Sequence, residues 1–127
     1  MAIAAKGHNE AFLALTNDAK SRVKEMDIAQ YRQLKEAGEA HTLIDVREES
    51  EWKAGHAAGA LHLSKGVIER DIETKVPDHE ATLVLYCGGG FRSALAADNL
   101  MKMGYRNVIS LDGGWRAYTE AGMSVEE

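Results

Sequence analysis

Cys87 is the only thiol in the chain, and it heads the run Tyr86-Cys87-Gly88-Gly89-Gly90-Phe91-Arg92-Ser93. Consecutive glycines let a backbone curl so that successive N–H groups face one centre, which makes a nest for an anion. A helix beginning at about Phe91 adds unpaired N–H groups and the positive end of its macrodipole. Arg92 adds a fixed cation five positions after the cysteine. All three features favour the thiolate, the form in which cysteine is a nucleophile. A cysteine serving only as a small core residue has no need of three adjacent glycines, each costing up to ~1 kcal/mol of conformational entropy. The run therefore predicts a reactive Cys87 in an anion-binding loop made by Gly88, Gly89, Gly90, Phe91, Arg92 and Ser93.

Loop length narrows the chemistry. Cys87 and Arg92 enclose four residues. Cysteine phosphatases use a loop one residue longer, which holds a tetrahedral phosphate. The tighter ring suits a smaller cargo, such as one extra sulfur carried on the cysteine.

These residues need elements to position them. Ala81–Tyr86 is apolar and β-rich, and reads as a buried strand that delivers Cys87 to its own end. Phe91–Met103 reads as a helix with Ala96, Ala97, Leu100 and Met103 on one face and Asp98, Asn99 and Lys102 on the other, stopped by Gly104. Further strands are expected at 41–46, 59–63 and 107–111, and further helices at 9–22, 48–54, 66–76 and 113–122. Another helix is expected from Asp27, its N-cap, with Gln30 completing a capping box. Strands alternating with helices define an α/β class with a mostly parallel sheet. Ligands in such sheets bind beyond the carboxyl ends of the strands, where Cys87 lies.

Composition limits the alternatives. The chain has 127 residues, with 15 Lys and Arg against 20 Asp and Glu, a formal charge of −5. That balance disfavours sequence-independent nucleic-acid binding, which depends on neutralising phosphates. One cysteine excludes an intramolecular disulfide and a four-cysteine zinc site. His8, His41, His62 and His79 show no metal-ligand spacing and read as surface or loop positions. No apolar run reaches the ~18 residues of a membrane span, and a cytoplasmic, membrane-independent protein is the default expectation. Asp45 and Arg47 read as scaffold charges that need partners, and His56 as a hydrogen-bonded structural residue. Trp115 fits the core or the site mouth equally well. Glu48, Glu49 and Glu51 read as a solvated helix start.

With the loop, two further motifs carry a resemblance. Leu43–Leu63 contains Asp45-Val46-Arg47, Gly55-His56 and Gly59-Ala60, and Asn107–Tyr118 contains Gly113-Gly114-Trp115. Three separated motifs in this order resemble the rhodanese family of sulfurtransferases, over about Val23 to Gly122. The resemblance implies a central parallel sheet of about five strands with helices on both faces, and a catalytic cysteine after the fourth strand. It implies a domain over 21–127, with 1–20 as an N-terminal helical extension. It implies no metal and no organic cofactor. The implied partners are a small sulfur donor, thiosulfate or a persulfide, and a thiol, cyanide or protein acceptor. Some members carry basic residues directly after the cysteine that help bind thiosulfate; here those positions are glycines, so persulfide donors stand beside thiosulfate. Two other readings stay open: a cysteine phosphatase or arsenate reductase of related fold, and a non-catalytic rhodanese-like binding module.

Overall fold

The alternation of side chains along Leu83-Val84-Leu85-Tyr86-Cys87 splits the interior in two. Successive strand residues point to opposite faces. Leu83, Leu85 and Cys87 join one buried cluster, and Val84 and Tyr86 join another. The computed structural model describes residues 8–127; the first seven residues of the expected N-terminal extension lie outside the described residues.

Five strands form the central sheet: β1 (Lys24–Met26), β2 (Thr42–Asp45), β4 (Leu61–His62), β5 (Thr82–Tyr86) and β6 (Asn107–Leu111). Their spatial order is β1-β6-β5-β2-β4, and every pairing is parallel. β5 is central and fully flanked, which explains its unbroken apolar run. A separate antiparallel pair joins β3 (His56–Ala57) to β7 (Val125–Glu126). Helices α4 (Ile68–Lys75) and α5 (Phe91–Lys102) supply Ile68, Ile72, Ala96, Ala97 and Leu100 to the first cluster. Helices α2 (Ile28–Glu36) and α6 (Gly114–Glu120) supply Tyr31 and Tyr118 to the second, so both faces are covered. The short helix α3 (Glu49–Ala54) follows β2.

The expected capping box of α2 is present: the Gln30 N–H donates to Asp27 Oδ1 at 2.8 Å, and the Asp27 N–H donates to Gln30 Oε1 at 2.8 Å. Two expectations need correction. β1 lies within the Lys-Glu-Met stretch after the first helix, where no strand was expected. It is a three-residue edge strand with an exposed Lys-Glu pair and has no hydrophobic pattern to read. Asp98 does not lie on a solvated face of α5. Helix α1 (Glu10–Lys20) packs along α5, and Asp98 is buried beneath Arg22, which donates to both carboxylate oxygens at 3.1 and 2.8 Å.

Candidate functional site

Cys87 leaves the end of β5, and its side chain is 1% exposed at the inner edge of an open cleft. Two backbone N–H groups converge on Sγ, from Gly90 at 3.1 Å and from Ser93 at 3.4 Å. Ser93 belongs to the first turn of α5, where N–H groups have no acceptor within the helix. The Cys87 thiol also reaches Ser93 Oγ at 3.6 Å, and that hydroxyl pairs with Ser110 Oγ at 2.8 Å. Sγ thus accepts two backbone N–H groups in a buried setting.

The loop is held from outside by its carbonyls. Trp115 and Arg116, at the start of α6, donate their N–H groups to the carbonyls of Cys87 at 2.7 Å and Gly88 at 3.2 Å. This close approach explains Gly114, whereas Gly113 has a φ of +81° and a Cβ there would fall 2.7 Å from Ala117 Cβ. A Cβ on Gly114 would fall 2.3 Å from the Cys87 carbonyl oxygen, and Gly114 has a φ of +48°. Within the cysteine loop, only Gly90 requires glycine for its backbone, with a φ of +101°. Gly88 and Gly89 have no such backbone demand, so the three glycines are not equivalent.

Arg92 does not present a free charge to the cleft. Its Nη1 and Nη2 donate to Glu51 Oε1 at 2.9 Å and Oε2 at 3.2 Å. The Arg92 guanidinium holds the Glu51 carboxyl below the usual range, and Glu51 raises Arg92 in turn. Glu51 therefore corrects the expectation of a merely solvated acidic helix start. It braces the loop and also accepts from the Glu48 N–H at 2.9 Å. Its type and its place in α3 gave no sign of a partner 41 residues away.

The scaffold reading of Asp45 and Arg47 agrees with the geometry. Both are buried, joined through Arg47 Nη2 and Asp45 Oδ2 at 2.7 Å, and Arg47 also donates to the Gly55 carbonyl at 2.7 Å. The Tyr86 hydroxyl donates to Asp45 Oδ2 at 2.7 Å and accepts from the Ala57 N–H at 3.0 Å. Burial, reinforced by Asp45, pushes the Tyr86 phenol far above its usual range. Trp115 lies with this scaffold, outside the cleft lining: Arg47 stacks over its ring at 4.5 Å, and Tyr86 and Tyr118 lie beside it. His56 stacks on Trp52 at 3.4 Å and lies within hydrogen-bond distance of the Trp52 carbonyl.

Of the histidines read as surface or loop positions, His8 and His41 lie outside helices and strands as expected, and His62 lies in β4. His62 Nε2 lies 2.9 Å from the Arg47 carbonyl, and His41 Nε2 lies 2.9 Å from the Tyr31 hydroxyl. His8 lines the cleft with Phe12 and Phe91. The cleft also carries Arg116 and Glu120 from α6, which the sequence reading did not single out. Their helical spacing of four was visible, but nothing in it showed that α6 borders the cysteine loop. Among the described residues, no three His, Cys, Asp or Glu side chains converge as metal ligands. Among the described residues, no helix is long and apolar enough to cross a membrane.

Fold and site together define an α/β protein with a parallel five-stranded sheet and a cysteine at the strand end in a glycine-rich loop. The profile of the Rhodanese-like domain matches residues 27–121, and the chain belongs to that family. A Bacillus subtilis protein provisionally named as a sulfur carrier, YrkF, is 27% identical over 82% of this chain and 55% of its own length. A Schizosaccharomyces pombe protein provisionally named as a mitochondrial thiosulfate sulfurtransferase is 34% identical over 61% of this chain and 63% of its own. The chain thus spans less than two-thirds of either curated relative. Among solved structures, a Rhodopseudomonas palustris protein of unknown function, suggested to be a tyrosine phosphatase, superposes with a TM-score of 0.81 at 27% identity over 99% of both chains. The polysulfide-sulfur transferase homodimer of Wolinella succinogenes gives a TM-score of 0.77 at 27% identity, covering 91% of this chain and 87% of that one.

Proposed function

We propose that this chain is a sulfurtransferase that carries a sulfane sulfur on Cys87. The observation that carries the reading is the convergence of the Gly90 and Ser93 N–H groups on Sγ at the inner edge of the cleft. The Cys87 thiolate attacks the outer sulfur of thiosulfate or of a persulfide. The donor's S–S bond breaks, and sulfite or a thiolate leaves with the bonding electron pair. The sulfur left on Cys87 is a persulfide anion, cradled by the N–H groups of residues 88–93. Cyanide or a thiol then attacks that outer sulfur and returns Cys87 as the thiolate. No oxidant is consumed, because each step exchanges one bond to sulfur for another.

A second reading has one observation behind it, the likeness to the Rhodopseudomonas protein suggested to be a tyrosine phosphatase. Sulfur transfer is favoured over it by the four-residue spacing of Cys87 and Arg92 and by the use of Arg92 as a brace to Glu51. A binding module without catalysis needs no reactive thiol, and this chain keeps one. The deciding experiment is incubation with thiosulfate and then cyanide, followed by thiocyanate release and by intact mass. Sulfur transfer predicts thiocyanate and a gain of one sulfur atom, both lost in Cys87→Ser. Turnover of an aryl phosphate comparable with sulfur transfer would overturn the assignment.

A further inference from the structure

Part of the cleft has no work to do in a reaction between Cys87 and thiosulfate. The cleft, open on one side to solvent, offers about 1000 Å³. Water occupies ~30 Å³ per molecule in the liquid, so an ion of five heavy atoms would fill on the order of a tenth of that space. A volume of this size suits a whole organic molecule.

The lining shows what kind. One wall is aromatic: the Phe91 ring centroid lies 4.4 Å from that of His8 and 6.2 Å from that of Phe12. Another stretch is α6, where Arg116 and Glu120 are exposed, one turn apart, and both on the lining. Among the described residues, neither forms an ion pair. Arg92, by contrast, is committed to Glu51. A cation and an anion that lack ion-pair partners among the described residues suit a ligand that bears both charges. A purely anionic donor gains from Arg116 but is repelled by Glu120.

We propose that this part of the cleft is a subsite for an organic persulfide of amino-acid or short-peptide type. Arg116 takes its carboxylate, Glu120 takes its ammonium group, and Phe12 and Phe91 pack on its carbon skeleton. The proposal rests on the reading of Cys87 as the sulfur-accepting nucleophile and deepens it. Cys87 sulfur bonds the terminal sulfur of R–S–SH, the S–S bond of the donor breaks, and R–S⁻ leaves with the electron pair. The proton stays on the transferred sulfur or passes to the departing thiolate. His8 and Phe12 precede the matched residues 27–121, so the N-terminal extension becomes part of the substrate site.

The test uses the full chain and two donors, glutathione persulfide and thiosulfate. The rate of Cys87 persulfide formation is followed by quenched intact mass. Glu120→Gln separates the donors by sign: loading from glutathione persulfide falls roughly tenfold, as expected for one charge-assisted hydrogen bond, while loading from thiosulfate rises. Phe12→Ala lowers loading from glutathione persulfide more than loading from thiosulfate. Glu120 is exposed, so its variant stays decisive if Phe12→Ala lowers the melting temperature. Equal factors for both donors in both variants would overturn the subsite while leaving the Cys87 reading intact. Failure of the unmodified chain to load from either donor would overturn the Cys87 reading and the subsite with it.

Discussion

Replacing Gly114 by Ala tests how the Cys87 loop is held. The added methyl would lie 2.3 Å from the Cys87 carbonyl oxygen and 3.0 Å from the carbonyl carbons of Cys87 and Gly88. Unstrained contacts of this kind lie at ~3.5 Å, so methyl and carbonyl must separate by roughly 1 Å. All three atoms are main chain and have no rotamer to escape into. Overpacking of this kind costs ~1–3 kcal/mol, and an alanine at a φ of +48° adds ~1–2 kcal/mol. At ~4 °C per kcal/mol for a chain of this size, the melting temperature should fall by roughly 8–20 °C. The displaced atoms carry the Trp115 N–H to Cys87 carbonyl bond, and a 1 Å error at a reacting centre costs ~100-fold in rate. Persulfide formation from thiosulfate, read by intact mass, should therefore slow by about that factor. Gly38→Ala is the control: Gly38 has a φ of +71° with nothing within 4 Å, so it bears the backbone cost alone. If Gly114→Ala melts no lower than Gly38→Ala and loads sulfur at the normal rate, the close packing of α6 on the loop has no functional weight.

Arg92→Ala removes the brace to Glu51 as well as a nearby cation, so persulfide formation and its discharge to cyanide should both slow, with a fall in melting temperature. A defect in formation alone would mean that Arg92 serves the donor only. The coupling of Arg92 to Glu51 in a double-mutant cycle should stay at about 0.5–1 kcal/mol, because solvent screens this half-exposed pair. Arg92 lowers the folded-state value of Glu51, so the pair's contribution is fully present above the ordinary carboxylate value of 4.5 and is lost as pH falls through the lower folded value. The gap in melting temperature between the unmodified chain and Glu51→Gln should therefore close as pH drops below 4.5; a gap that widens there would reverse the sign. Tyr86→Phe leaves the Ala57 N–H without its acceptor and Asp45 short of a donor, and should cost about 1–3 kcal/mol in chemical denaturation. A loss below the error of extrapolation would make that buried network dispensable.

The sheet and the cysteine loop were legible because they rest on local patterns. β5 is buried on both faces and so shows as one apolar run. The Gly90 turn and the start of α5 follow directly in sequence, so Cys87 and Ser93 could be placed together before any tertiary contact was known. β1 was hidden because an edge strand of Lys, Glu and Met has no apolar alternation. Glu51 was misread because its role comes from a pairing across 41 residues, and local chemistry accounts for an acidic helix start equally well. The Arg47 over Trp115 stack settles the place of Trp115 through a tertiary contact that no spacing encodes. Gly114 shows the middle case: its presence is plain in the sequence, but only the 2.3 Å approach to Cys87 gives the reason.

The most direct measurement is the intact mass of the chain after incubation with thiosulfate, and separately with glutathione persulfide, before and after cyanide. Transfer through Cys87 predicts a gain of one sulfur atom, its removal by cyanide with release of thiocyanate, and no gain in Cys87→Ser. No mass gain from either donor, or an undiminished gain in Cys87→Ser, would contradict it.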